Sequence, residues 1–129
     1  MPLLFVMIGG ALGSAARYFT GRAALAVFGP AFPAGTLAVN LIGGLLMGVL
    51  TAILARAGGS AESWRLFIGV GVLGGFTTFS SFSLDVVTMI ERGAIGPALG
   101  YALVSVIGSI VALFAGLALT RAVLGGAAA

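Results

Sequence analysis

Long apolar runs separated by short clusters of charge and turn-forming residues set the pattern of this chain. No charged side chain precedes Arg17. Arg22 and Arg56 bracket 33 uncharged residues, Arg65 and Asp85 bracket 19, and Arg92 and Arg121 bracket 28. A helix of about 20 apolar residues crosses a bilayer. The pattern predicts an all-α membrane protein with four spans, over residues 3–27, 35–55, 66–90 and 95–119, in one transmembrane domain covering 1–129. The separators have turn chemistry or charge: Gly29-Pro30-Ala31-Phe32-Pro33, the Arg56 to Arg65 stretch with Gly58, Gly59 and Ser60, and Glu91-Arg92-Gly93. The Ala127–Ala129 tail carries no signal.

Composition agrees. Of 129 residues, 60% are hydrophobic and 7% charged, against about 25% charged in a soluble domain. Nine charges cannot wet the surface of a soluble protein this size. Cysteine and histidine are absent, which excludes disulfides, thiol nucleophiles, most zinc sites and most catalytic triads. All six positive charges are arginine and none forms a basic run, so nothing points to nucleic acid. The first arginine follows the first apolar stretch instead of preceding it, which predicts a retained helix and not a signal peptide.

Four spans put both termini on one side. That side holds Arg56, Arg65 and Arg121. The other holds Arg92, with Arg17 and Arg22 toward it. Three against three gives almost no positive-inside signal. The balance fits either one orientation set by other factors or dual topology, with copies inserted both ways. Four short helices are too few to enclose a water-filled path, so an oligomer is expected. Gly9-xxx-Gly13, Gly44-xxx-Gly48, Gly71-xxx-Gly75 and Gly96-xxx-Gly100 favour close helix packing.

Polar residues inside the spans need partners. On the fourth helix Tyr101, Ser105, Gly108, Ser109, Ala112 and Gly116 fall within about 100° of one another. Leu99, Leu103, Ile107, Ile110, Phe114 and Leu117 lie opposite. One face suits lipid. The other carries three hydroxyls at i, i+4 and i+8, which reads as a polar track or as serines bonded back to their own helix. Thr36 and Asn40 share a face of the second helix. An unpartnered amide in hydrocarbon costs several kcal/mol; interhelical glue and a pore-lining donor both satisfy it.

The third span is the least helical. Gly74-Gly75 precedes Phe76-Thr77-Thr78-Phe79-Ser80-Ser81-Phe82-Ser83. Each glycine weakens a helix by about 1 kcal/mol, and Thr and Ser are natural caps for one that restarts. A helix broken near its middle, at residues 74–78, is expected. Broken backbone at membrane depth survives where it lines a cavity or is buried in protein. Phe79 and Phe82 follow it. A ring edge is positive and can meet an anion, although packing and lipid contact are the ordinary roles of a membrane Phe. Arg17, near the end of the first helix, either snorkels to the interface or gives a vestibule a positive field.

Three segments carry a resemblance: Gly9-Gly10-x-x-Gly13-x-x-x-Arg17-Tyr18, Gly35-Thr36-Leu37-x-Val39-Asn40 and Gly74-Gly75-x-Thr77-Thr78-Phe79-Ser80-Ser81-Phe82. Together they resemble the Fluc (CrcB) fluoride channels over nearly the whole chain. Ser81 stands where that family usually has Thr, and the hydroxyl is kept. The resemblance implies an antiparallel dual-topology homodimer in a bacterial inner membrane, with two pores that let cytoplasmic fluoride leave passively. It implies a structural Na+ at the dimer centre, held by the backbone carbonyls of Gly74 and Thr77 from each subunit. It assigns Phe79 and Phe82 to an aromatic box, Asn40 to a pore amide, and Tyr101, Ser105 and Ser109 to the polar track. Thr36 and Arg17 match positions near the pore mouth and vestibule. The alternative is a small multidrug-type four-helix transporter. It needs a membrane-embedded acid, and the first span has none. A non-transporting assembly subunit would need neither a broken helix nor a hydroxyl ladder. No reading is an enzyme.

Overall fold

The computed structural model describes residues 2–125, and the Ala127–Ala129 tail lies outside them. The chain runs through α1 (Pro2–Phe28), α2 (Ala34–Leu54), α3 (Ala61–Trp64), a π-helical stretch (Arg65–Leu73), α4 (Gly74–Phe76), α5 (Ser80–Glu91) and α6 (Ile95–Val123). Among the described residues four runs are long and apolar enough to cross a membrane: Pro2–Phe28, Ala34–Leu54, Ala61–Glu91 and Ile95–Val123.

Their ends follow local chemistry. The third run starts earlier than the 66 expected, at Ala61, because Glu62 sits in the first turn and pairs with Arg65 at 2.9 Å on the same face. The fourth continues past 119 because Arg121 lies in its last turn, where a cation meets the free carbonyls. After α5, Gly93 takes φ +82°, and its N–H reaches the Ile90 carbonyl at 2.9 Å. The Ala94 N–H bonds to Met89 O at 2.9 Å. The pair is a Schellman cap, and the left-handed residue it needs is glycine.

Glycine sets the helix packing. A Cβ on Gly9 would overlap the Phe67 carbonyl oxygen, and one on Gly13 the Val72 carbonyl oxygen. From the other side, a Cβ on Gly71 would lie 2.9 Å from Gly9 Cα. So α1 lies backbone to backbone against the π-helical stretch. Likewise a Cβ on Gly48 would overlap the Leu113 carbonyl, and one on Gly116 the Leu45 carbonyl, which seats α2 on α6. The fourth pair differs: among the described residues Gly96 and Gly100 have nothing within 4 Å of an added Cβ, so they seat no helix there.

The π winding was not anticipated. Over Arg65–Leu73 the sequence alternates Gly69 and Gly71 with β-branched Ile68, Val70 and Val72, all weak α-helix formers. Register there answers to the surface of α1.

On α6 the expected division of faces is present in part, with Leu117 half-buried like Gly108, Ser109 and Ala112. Tyr101, Ser105 and Gly116 are buried, whereas Leu99, Leu103, Ile107, Ile110 and Phe114 are exposed. The small buried cluster is Phe82, Met89, Ala98 and Tyr101, joining α5 to α6.

Candidate functional site

Helical geometry ends at Phe76. Thr77 is extended, at φ −84° and ψ 161°, and α5 starts at Ser80. Residues 77–79 therefore belong to no helix, and their polar backbone needs partners at membrane depth. Thr77 turns back: its N–H and its hydroxyl both donate to Leu73 O, at 3.0 and 2.9 Å. Asn40, from α2, takes both backbone groups of Thr78. Its Nδ2 donates to Thr78 O at 2.9 Å, and Thr78 N–H donates to Asn40 Oδ1 at 2.9 Å. A flipped amide would lose both bonds, so the pairing fixes the orientation of the side chain. Thr78 Oγ1 then accepts the Ser81 N–H at 3.1 Å, satisfying one of the free donors at the start of α5. From α1, Arg17 Nε donates to Gly75 O at 3.2 Å.

Beside these residues lies a cavity of about 580 Å³. Asn40, Gly74, Thr77, Phe79, Phe82, Ser105 and Ser109 all line it. Among the described residues, no charged side chain does. The Phe79 and Phe82 rings are 5.5 Å apart at 43°. Phe82 is buried; Phe79 is 75% exposed, so one of its sides has no neighbour in this chain. Ser105 is 5% exposed, and its Oγ has no hydrogen-bond partner among the described residues. Thr20 and Thr51 bond to carbonyls four residues back, on Ala16 and Met47. Ser105 makes no such bond, which leaves a buried donor at the cavity wall.

Three expected residues lie elsewhere. Tyr101 does not line this cavity. Its hydroxyl donates to Asp85 Oδ2 at 2.9 Å, and its ring packs on Phe82 at 5.3 Å and edge-on to Phe32 at 5.4 Å. Asp85 faces a second cavity, of about 380 Å³, with Thr36, Thr88 and Arg92. Thr36 also lines a third, of about 290 Å³, where Arg17, Arg22, Thr78 and Ser81 meet. Arg17 and Thr36 therefore sit together at the third cavity, which adjoins the uncharged one at Thr78.

Comparison with known proteins decides the family. The family described as CrcB-like protein, Camphor Resistance (CrcB), matches residues 4–117. The fluoride-specific ion channel FluC of Mesorhizobium japonicum is 56% identical over 119 residues, which is 92% of this chain and 95% of that one. The FluC of Caulobacter vibrioides (strain NA1000 / CB15N) is 55% identical over 122 residues, 94% and 96% of the two chains. That of Caulobacter sp. (strain K31) is 57% identical over 120 residues, 92% and 94%. The chain belongs to the CrcB family. Its named relatives are channels, and it is no enzyme.

In this CrcB chain the carbonyls around the link divide into two sets. Gly75 O and Thr78 O each receive a side-chain donor. Among the described residues, the structure records no hydrogen bond to Gly74 O, Phe76 O or Thr77 O. Gly74 is exposed, and an added Cβ would meet nothing closer than its own helix, Gly69 O at 3.8 Å. Among the described residues no group of three or more His, Cys, Asp or Glu could hold a metal. Neutral carbonyl oxygens are ligands for hard cations.

Sequence reasoning missed three partners. Asp85 is the one acid inside the third predicted span, and a membrane acid requires a donor; that was the available signal for its bond to Tyr101. Phe32 and the Arg17–Gly75 bond left no signal, because each joins segments far apart in the chain.

Proposed function

We propose that this protein is a fluoride-specific ion channel that lowers cytoplasmic fluoride by passive efflux across a bacterial inner membrane. The observation that carries the reading is the uncharged cavity, where Asn40, Phe79, Phe82, Ser105 and Ser109 converge. The names of its relatives support it.

Taking a small anion from water into low dielectric costs on the order of 20 kcal/mol by an idealised Born argument. Many weak, fixed donors must offset that. The unpartnered Ser105 hydroxyl and the Phe79 and Phe82 ring edges are such donors. Asn40 contributes chiefly by fixing Thr78, with its second Nδ2 hydrogen left over. A formal positive charge in the wall would hold the ion, and conduction requires release. Arg17 stands outside the cavity. In this reading Tyr101 and Thr36 belong to the approach, with Asp85 orienting the Tyr101 hydroxyl.

The working unit is an antiparallel dual-topology homodimer with two pores. The three-to-three arginine balance supports this, as do Phe79 and Gly74, which have open sides in a single chain. The third membrane helix acts as a discontinuous helix whose Gly74 and Thr77 carbonyls, two from each subunit, would hold a structural Na+. That ion would supply a fixed positive charge between the pores.

Efflux from liposomes tests the reading. Fluoride should leave when a potassium ionophore clamps the voltage, and replacing sodium on both sides with a large organic cation should stop it. Fluoride flux that ignores sodium removes the cation site alone; absence of fluoride flux removes the channel. Lysines added beside Ser60 should orient all copies one way and silence the protein until an oppositely biased copy is supplied. Proton-coupled uptake of a cationic drug would favour the multidrug-type transporter. That reading has no acid on α1 to use, and Asp85, the acid away from the ends of the third run, is already engaged by Tyr101.

A further inference from the structure

We infer that Arg17 is a positioning residue: it holds the end of α4 through the Gly75 carbonyl and so sets the geometry of residues 77–79. The inference rests on reading that link as pore lining. In an unbroken helix the Gly75 carbonyl would accept the Phe79 N–H. With residues 77–79 outside any helix, that acceptor is orphaned. Arg17 Nε supplies the missing donor at 3.2 Å from a part-buried position. A cation there also meets the negative end of the helical run over residues 61–76.

The approach is built into α1. Gly10, Ser14 and Arg17 follow one another along a single face. A Cβ on Gly75 would lie 2.6 Å from Gly10 O and 3.2 Å from Ser14 N, so α4 rests directly on that face. A helical side chain leans toward its own N-terminus, which brings the Arg17 stem back over the contact. Neither snorkelling nor a vestibule field requires this bond. Asn40 holds Thr78 from α2 while Arg17 holds Gly75 from α1, so the carbonyls on either side of Phe76 and Thr77 are held from two different helices.

Chain length separates donor from charge. The amide nitrogen of Gln occupies the place of Arg Nε, three carbons beyond Cα, and is neutral. The Lys amine keeps the charge and lies one bond farther out. Amide hydrogen exchange across residues 74–80, measured on the full chain in detergent, reads the link without needing fluoride or sodium. Arg17→Gln should exchange at the native rate, and Arg17→Met at least tenfold faster. In liposomes Arg17→Gln should conduct fluoride faster than Arg17→Lys. Native-rate exchange in R17M, or R17Q exchanging as fast as R17M, overturns the inference. So does R17K conducting faster than R17Q, which is the order that a field effect gives. Should R17M fail to assemble, R17K replaces it in the exchange comparison. If the native chain passes no fluoride, the channel reading falls and the exchange comparison still decides the role of Arg17.

Discussion

Asn40 and Thr78, 38 positions apart, exchange two hydrogen bonds of 2.9 Å, amide to backbone in both directions. The side chain does for Thr78 what a neighbouring strand or helical turn would do elsewhere. It allows a residue outside any helix to sit among membrane helices. The α2 face that delivers Asn40 is held against α6 by Gly44 and Gly48, so the glycine packing and the polar link form one device.

Asn40→Ala removes both bonds and leaves a backbone donor and acceptor unpaired. An unsatisfied buried group costs about 1–3 kcal/mol. The melting temperature should fall and fluoride efflux should drop at least tenfold. Asn40→Asp keeps the acceptor for Thr78 N–H, so it should melt above Asn40→Ala while conducting no better. Thermal unfolding in detergent, run beside efflux, checks both.

Ser105→Ala separates conduction from stability. The Ser105 hydroxyl has no partner among the described residues, so its removal breaks no bond within the chain. Melting should stay unchanged and fluoride flux should fall about tenfold, equivalent to roughly 1.4 kcal/mol. A lower melting temperature with native flux would assign the serine to packing.

Packing makes a sharper demand at Gly13. A methyl group there meets the Val72 carbonyl, which is backbone and cannot turn aside. Gly13→Ala should destabilise the protein by about 1–3 kcal/mol, the usual cost of overpacking. Gly96→Ala, in open space, should be neutral in the same melting experiment.

The spans were legible because charge is so sparse that each cluster marks a membrane edge. The buried face of α6 was legible because Tyr101, Ser105 and Gly116 repeat at helical spacing opposite Leu99, Leu103 and Phe114. Periodicity gives a residue's face, never its partner. Thus Asn40 was placed on a face, but its bond to Thr78 needs two helices in register. Tyr101 was grouped with Ser105 and Ser109 by spacing. Its ring is longer, and its hydroxyl leaves the serine line to reach Asp85. The π winding of Arg65–Leu73 was invisible, since its register comes from the fit of Gly71 against Gly9.

The two phenylalanines should part company. Phe82 is buried against Tyr101, so Phe82→Ile should lower both stability and flux. Phe79 is 75% exposed in the single chain, so Phe79→Ile should lower flux and leave the melting of the subunit fold near native. Native flux in both variants would show that ring edges play no part.

Selectivity measured in one vesicle tests the central claim most directly. Liposomes carrying the purified protein are loaded with equal fluoride and chloride, and both ions are followed with electrodes after a potassium ionophore is added. An uncharged wall of hydroxyls and ring edges should release the fluoride and retain the chloride. Ser105→Ala should slow the fluoride trace alone. Chloride leaving as fast as fluoride, or no release of either ion, would contradict the account.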